Sequence, residues 1–332
     1  MFDLTPYNTF GLHVHSKNGI IINTENDLKT VHEDEIIILG HGSDVLFTDD
    51  YDGTVLINKI KSLNITQEGD FFKVKVGSGV ILDDLIESLL ENKIYGLENL
   101  SAIPGTVGAA PIQNVGAYGV EIGDLITEIE AYDLQRHFKE TFSHERCEFA
   151  YRSSYFKHHC ERKLFITSVT FRLFSRFIPK LTYQGLKNLH FKDGAALRAR
   201  IEKMRSAKLP DPKLIGNAGS FFKNPEIEKE VANKLKEQYP DMPVYPTNEA
   251  HLCKLAAGWL IEKAGCRGIT HGNVGTWEEQ ALVIVNRGDA KPNEVVALAQ
   301  YIIAEVYAKF GILLVPEVRT YGPKGELSWK RM

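Results

Sequence analysis

Residues 104–119 read Pro-Gly-Thr-Val-Gly-Ala-Ala-Pro-Ile-Gln-Asn-Val-Gly-Ala-Tyr-Gly, with neither the 3.6-residue period of a helix nor the alternation of a strand. Small side chains over that length cannot build a core of their own. A structureless stretch this long inside a compact chain is usually a functional loop. Its composition suits a close-fitting wall for a large planar ligand, with Gln113 and Asn114 as hydrogen-bond partners.

Two shorter glycine turns precede it, Gly40-His41-Gly42-Ser43-Asp44 and Gly77-Ser78-Gly79, and each follows a β-type run. Lacking a Cβ, glycine lets backbone N–H groups come close to a phosphate. None of the three segments matches G-x-G-x-x-G opening a helix or the P-loop pattern, so neither a Rossmann nor a kinase-type nucleotide site is expected. Taken singly, each short turn reads as a structural turn.

The 332 residues are enough for two or three domains. The first third reads as short strands at 35–39, 45–47, 54–58 and 72–76, then a helix over 81–92. Strand-like runs return at 126–131 and 164–173. Helical spacing follows at 195–207, at 249–264 with Asn248 as N-cap, and at 293–310 closed by Gly311. Strands are expected at 281–286 and at 312–315, the latter leading into Pro316-Glu317. The overall class is α+β, with a boundary between 200 and 215 near Pro210 and Pro212.

Net charge is −4, and no basic stripe or acidic block points to nucleic acid or a disordered tail. The first residues carry no basic and apolar leader, and no apolar run suits a bilayer, so a cytoplasmic protein with no membrane partner is expected. Cys147, Cys160, Cys253 and Cys266 form no C-x-x-C pair and read as reduced thiols. Cys160 follows His158-His159, but no further ligand has matching spacing, so no metal is expected.

Several motifs in order resemble the UDP-N-acetylenolpyruvoylglucosamine reductase family. They are Asn8-Thr9-Phe10-Gly11, Gly40-His41-Gly42-Ser43-Asp44-Val45-Leu46, the 104–119 segment, Tyr151-Arg152-Ser153-Ser154, Leu181-Thr182-Tyr183, Gly219-Ser220-Phe221-Phe222-Lys223-Asn224-Pro225, Ala256-Ala257-Gly258-Trp259-Leu260-Ile261 and Pro316-Glu317-Val318-Arg319. The resemblance runs over nearly the whole chain. It implies a two-lobed FAD-binding fold of the vanillyl-alcohol-oxidase/PCMH type plus a C-terminal α+β substrate domain. The implied divisions are lobe 1 over 1–66, lobe 2 over 67–205 with a tyrosine loop near 183, a substrate domain over 206–318, and a tail over 319–332. The Leu181-Thr182-Tyr183 segment is similar to the family branch that keeps an extra tyrosine-bearing loop.

The implied activity is NADPH-dependent reduction of UDP-N-acetylglucosamine enolpyruvate to UDP-N-acetylmuramate through non-covalent FAD, a step of peptidoglycan precursor synthesis, carried out by a monomer. The implied cofactor contacts are Gly40, His41, Gly42, Ser43, Asp44, Val45, Leu46, Gly77, Gly79, Pro104, Gly105, Thr106, Gly108, Ala109, Ala110, Pro111, Gln113, Asn114, Gly116, Ala117, Tyr118 and Gly119. Asp44 departs from the family's usual Asn and would repel a pyrophosphate unless it faces away or caps an N–H. His41 reads as a variable loop residue rather than a covalent flavin anchor.

Three residues match the family's catalytic positions. Ser220 is the implied proton donor, a hydroxyl that needs a nearby cation such as Lys208 or Lys223, or a backbone dipole, to help it. The planar fork of Arg152 suits the substrate carboxylate. Glu317 faces a physical problem, since a carboxylate beside developing negative charge must either carry a proton or be offset by Arg152 or Arg319. The resemblance implies substrate contacts at Tyr183, Lys208, Asn224, Tyr245, Lys254 and Gln280. Two other readings stand beside this one: an oxygen-using flavin oxidase of the same fold, and a flavin binder without catalysis. The second leaves Ser220, Arg152 and Glu317 without a purpose.

Overall fold

A computed structural model describes every residue except Glu33, Asp34, Asn248, Lys330, Arg331 and Met332. The chain divides into two compact units that are interleaved in sequence. One comprises Met1–Lys17, Gly42–Gly53 and Ser206–Met332, and the other Asn18–His41 and Thr54–Arg205.

The unit ending at Arg205 is built on a five-stranded antiparallel sheet. Its order is Phe138–Ser143, Ile126–Asp133, Leu164–Phe174, Phe71–Gly77 and Leu63–Glu68. The alternation expected at 72–76 is present, with Val74 and Val76 buried and Lys73 exposed. The helix Leu82–Glu91 lays Leu82, Leu85, Ile86 and Leu89 into the same core as Val74, Val76, Val169 and Phe171. Asp83 and Asp84 in its first turn complement the positive end of the helix. In a separate sheet Ile36–Leu39 runs parallel to Tyr51–Asn58, residue 36 opposite 54. The helix Gly194–Ser206 opens where Asp193 Oδ1 accepts the Ala196 N–H at 2.8 Å. It buries Leu197 and Ile201 against Leu186.

The other unit holds a four-stranded antiparallel sheet ordered Asn217–Ser220, Val283–Asn286, Val274–Thr276 and Thr270–His271. A three-stranded sheet has Leu252–Leu255 between Glu226–Glu228 and Val244–Pro246. The long helix Pro292–Phe310 starts with proline in its first turn and stops at Gly311, whose φ is +67°. Arg319–Gly322 forms a strand parallel to Val45–Phe47.

Two expectations about elements need correction. The stretch 249–264 is not one helix, because Leu252–Leu255 is a strand and only Ala257–Lys263 is helical. Leu252, Leu255 and Trp259 fit a helical stripe, but Cys253 and Leu255, two apart, are the residues that the strand buries. Pairing on both edges overrides the helical pattern. The helix begins where Asn224 Oδ1 accepts the Ala257 N–H at 2.9 Å. The N-cap expected at Asn248 falls outside the described residues. Residues 312–315 alternate buried Ile312 and Leu314 with exposed Leu313 and Val315, yet they form no regular strand. Their backbone meets the short stretch 221–223, through Lys223 N–H to Val315 O and an isolated bridge between Phe222 and Pro316.

Candidate active site

In the unit ending at Arg205 the glycine-bearing stretches 77–79 and 104–119 converge, and Gly40 packs against Thr106 of the latter. The segment after Gly105 hydrogen-bonds along residues 78–82: Leu82 N–H to Gly105 O (3.1 Å), Val107 N–H to Val80 O (2.9 Å) and Gly108 N–H to Ser78 O (2.8 Å). A Cβ on Gly79 would lie 2.6 Å from Ile60 N, and one on Gly77 would lie 2.6 Å from Ser62 N. On Gly108 it would strike the Ser78 side chain, and on Gly40 the Thr106 hydroxyl. These glycines therefore let one turn pack on the next, and the main chain forms a cradle. The Thr106 hydroxyl is buried in it without a hydrogen-bond partner among the described residues. Such an orphaned polar atom, in a segment where Pro104 and Ala109 are exposed and Gly105 is half-buried, fits a polar ligand that the fold leaves room for.

One expectation for this loop changes. Asn114 is 2% exposed, and its amide N–H groups are engaged by Glu121 Oε2 (2.7 Å) and Ala150 O (3.1 Å), while its Oδ1 accepts the Gly123 N–H (2.9 Å). The side chain braces the loop from inside. Gln113 is half-buried and lies 3.4 Å from Lys157 Nζ. His41, Ser43 and Asp44 are half-buried, and Val45 and Leu46 are core residues of the strand beside Arg319–Gly322.

Arg152 lies in the same unit as the 104–119 loop. It occupies the second central position of a tight turn in which Ala150 and Ser153 exchange both backbone hydrogen bonds. Its φ is +52°, a conformation that costs a non-glycine residue about 1–3 kcal/mol and tends to persist where a side chain must be aimed. Its Nη2 donates to Gly116 O at 3.2 Å, so the guanidinium sits on the end of the glycine-rich loop. Ser154, next along, donates to Ile112 O at 2.6 Å and ties the turn to that loop.

Tyr118 and Tyr183 meet edge to face with ring centroids 5.0 Å apart. Burial pushes the Tyr118 hydroxyl above its ordinary pKa, and the hydrogen-bonded Arg205 opposes that shift. Burial in turn lowers Arg205, whose Nε donates to Ala102 O at 3.1 Å. Buried Asn99 donates from its side-chain amide to Tyr118 O at 2.8 Å, and neither Arg205 nor Asn99 lies in a motif that the sequence singles out. The one signal for Asn99 is a polar pair, Glu98-Asn99, set between Leu97 and Leu100.

In the unit containing Ser206–Met332, Ser220 ends its strand exposed, opposite Val283. The pairing is irregular between Asn217 and Ser220, where Gly219 has φ +70° and its N–H reaches Asn217 Oδ1 at 2.9 Å. Phe221 and Phe222 are fully buried core residues, so they anchor the Ser220 backbone and do not wall a site. Phe221 N–H donates to Leu282 O (2.8 Å), and Phe221 O accepts the Glu317 N–H (2.7 Å). Ser220 and half-buried Glu317 are thus brought onto adjacent stretches of backbone. Arg319 forks onto Glu326 at 3.0 and 2.5 Å, which commits its guanidinium to another carboxylate.

The expected substrate residues of this unit fall into groups. Tyr245 and Glu226 lie directly across from Lys254 on its two sides, and Lys254 Nζ is 3.4 Å from Glu226 Oε1. Asn224 caps the helix Ala257–Lys263, and Gln280 Oε1 packs close to Gly258 at its second residue. Lys208 is exposed in a turn after the helix Gly194–Ser206. Among the described residues no cluster of three or more His, Cys, Asp or Glu could hold a metal, and no helix is long and apolar enough to cross a membrane. The four cysteines are free, and burial pushes Cys147 up to about 12.

Residues 26–135 match the FAD binding domain family, and residues 211–321 match the C-terminal domain of UDP-N-acetylenolpyruvoylglucosamine reductase. The UDP-N-acetylenolpyruvoylglucosamine reductase of Photorhabdus laumondii is 41% identical over 336 residues, covering 98% of both chains. That of Escherichia coli K12 is 40% identical over 336 residues, covering 98% of this chain and 97% of its own. The crystal structure of the Thermus caldophilus reductase superposes with a TM-score of 0.67 at 22% identity, covering 96% of both chains, which shows a shared fold.

Proposed function

The chain belongs to the UDP-N-acetylenolpyruvoylglucosamine reductase family, and on that premise we propose the way its residues divide the work of the reaction. It is an FAD-containing oxidoreductase that reduces UDP-N-acetylglucosamine enolpyruvate in peptidoglycan precursor synthesis. Similarity at 41% identity along 98% of both chains carries that activity. In our reading it works as a cytoplasmic monomer with NADPH as the reductant. Residues 1–66 and 67–205 hold the cofactor, and 206–318 take the sugar nucleotide.

When bound, FAD would supply the hydride chemistry of the reaction, with NADPH as the source of reducing equivalents. The main-chain cradle of residues 77–79 and 104–108, with the orphaned Thr106 hydroxyl, is the part of this chain that fits its polar end. Arg152 meets the substrate carboxylate, and its forked N–H groups stabilise the charge that builds there. The Ser220 hydroxyl gives its proton to the carbon beside that carboxylate, which completes the saturated lactyl ether. Glu317, held against Phe221, works with Arg152 to polarise the carboxylate. Lys208 and Lys254 meet the diphosphate as compact cations. Tyr183, Asn224, Tyr245 and Gln280 hold the remainder of the nucleotide, and Tyr183 helps exclude water.

An anaerobic titration tests this reading. NADPH should bleach the flavin absorbance, and the enolpyruvyl sugar nucleotide should restore it in the absence of oxygen. Recovery that requires oxygen would instead make the chain an oxidase, and a protein purified without flavin absorbance would overturn the reading.

A further inference from the structure

Asn99 lies in the 3₁₀ turn Glu98–Leu100 and is 2% exposed. Its side-chain nitrogen makes two hydrogen bonds, to Tyr118 O at 2.8 Å and to Lys180 O at 2.9 Å. Both partners are carbonyls, so only the NH₂ end of the amide can face them, and its two donors are fully used. The residues it joins lie far apart in sequence. Tyr118 is near the end of the glycine-rich loop, with φ +50°, and Lys180 begins the stretch that carries Tyr183.

The stretch 175–193 contains no helix or strand, so few backbone bonds fix it. Three contacts tie its middle to the loop end. Asn99 holds Lys180, Thr182 Oγ1 packs on the Cβ-less face of Gly119, and the Tyr183 ring stands on the Tyr118 ring. Leu186 is buried against Leu197 and Ile201, and Phe177, Leu181 and Tyr118 pack against that cluster without hydrogen-bonding the two segments together. Of the three contacts, only Asn99 supplies hydrogen bonds to both segments at once. Its burial leaves no water to replace those bonds when the donor is lost.

We propose that Asn99 is a positioning residue: its amide fork fastens the Tyr183 segment to the end of the cofactor loop and so presets Tyr183 for the sugar nucleotide. This rests on the reading of Tyr183 as a substrate contact. Asn99 is buried with both amide donors spent on protein carbonyls, so its effect passes through Tyr183. Removing the fork makes each binding event order the segment afresh, which raises KM and leaves the chemical step alone.

A double-mutant cycle on the full-length flavin-loaded enzyme tests this, with KM and kcat measured for the enolpyruvyl sugar nucleotide and FAD content as the folding check. Asn99→Leu, of similar size without donors, should raise KM about tenfold with kcat within about twofold of wild type. Tyr183→Ala should raise KM as well, and the double variant should be no worse than Tyr183→Ala alone. If Asn99→Leu does not load FAD, Asn99→Asp, which turns acceptors toward the two carbonyls, enters the same cycle. An unchanged KM in the Asn99 variant, or effects that multiply in the double variant, would overturn the fork while leaving Tyr183 as a substrate contact. An unchanged KM in Tyr183→Ala would overturn the assignment of Tyr183 and the fork with it.

Discussion

Residues 104–119 and residues 217–224 with 315–317, to which we assign cofactor binding and proton transfer, are built by opposite means. The first is made by main chain. Gly77 and Gly79, in the stretch it packs on, face neighbouring backbone, and its one conspicuous asparagine, Asn114, is spent inside the protein. The second is made by side chains placed on a conventional framework. There Phe221 and Phe222 are locked in the core, and this fixes the backbone from which exposed Ser220 projects and to which Glu317 is bonded. A cradle of main chain tolerates little change in shape, because at Gly77 and Gly79 an added atom meets backbone. A site of projecting side chains loses chemistry when one is truncated and keeps its fold.

Ser220 apart, the largest effect should come from another projecting side chain. Arg152→Ala should slow reoxidation of reduced enzyme by the enolpyruvyl sugar nucleotide about 10²–10³-fold, with FAD content unchanged. Arg152 borders the glycine loop through Gly116 O, so a loss of flavin in this variant would blur the division between the two regions. Rapid-mixing absorbance together with the flavin-to-protein ratio reads both.

Changes to the cradle should behave in the reverse way. A Cβ on Gly79 would lie 2.6 Å from Ile60 N and from Lys59 Cα, which are backbone atoms that cannot swing aside. Gly79→Ala should cost about 1–3 kcal/mol of stability and release flavin. Any enzyme that still holds FAD should turn over at a near-normal rate. Gly69, with φ +63° and nothing within 4 Å, is the control. Gly69→Ala should cost about 1 kcal/mol in strain and leave FAD content alone. Denaturant melts and flavin release, followed in parallel, separate the two glycines.

A smaller effect concerns the sheet behind the cradle. Burial pushes the Glu130 carboxyl up, but Lys75, Ser168 and Lys139 together outweigh it and hold the group at about 2, against an ordinary 4.5. A carboxyl with a depressed folded-state pKa adds stability that is complete above pH 4.5 and is lost as pH falls towards 2. The two lysines are 40% and 38% exposed, so solvent screening reduces the gain. Glu130→Gln should therefore cost about 1–2 kcal/mol at neutral pH. In acid titrations the gap from wild type should close below pH 4.5. A gap that widened in acid would contradict the assignment.

The contrast between the regions also explains what the sequence makes legible. A main-chain cradle leaves a compositional trace, so residues 104–119 stand out from their amino-acid content alone. The purpose of each glycine does not, because close approach to a phosphate and close approach to a neighbouring turn need the same missing Cβ. Strands that alternate cleanly, such as Phe71–Gly77, are readable from pattern. Leu252–Leu255 is not, since its helix-like spacing yields to pairing on both edges, a non-local effect. Ser220 and Arg152 carry no local signal of chemistry, and only the surrounding motifs single them out. Asn99 has no motif at all, because its importance lies in joining two carbonyls about 20 and 80 residues further along the chain.

Ser220, in this division of work, acts in the second half of the reaction alone. The direct test is stopped-flow absorbance at the flavin band, wild type against Ser220→Ala, first with NADPH and then, anaerobically, with the enolpyruvyl sugar nucleotide. Reduction by NADPH should proceed at the same rate in both. Reoxidation should be slower by about 10²–10⁴-fold in the variant, the usual contribution of a positioned proton donor. Equal reoxidation rates would remove Ser220 from the mechanism and contradict that division.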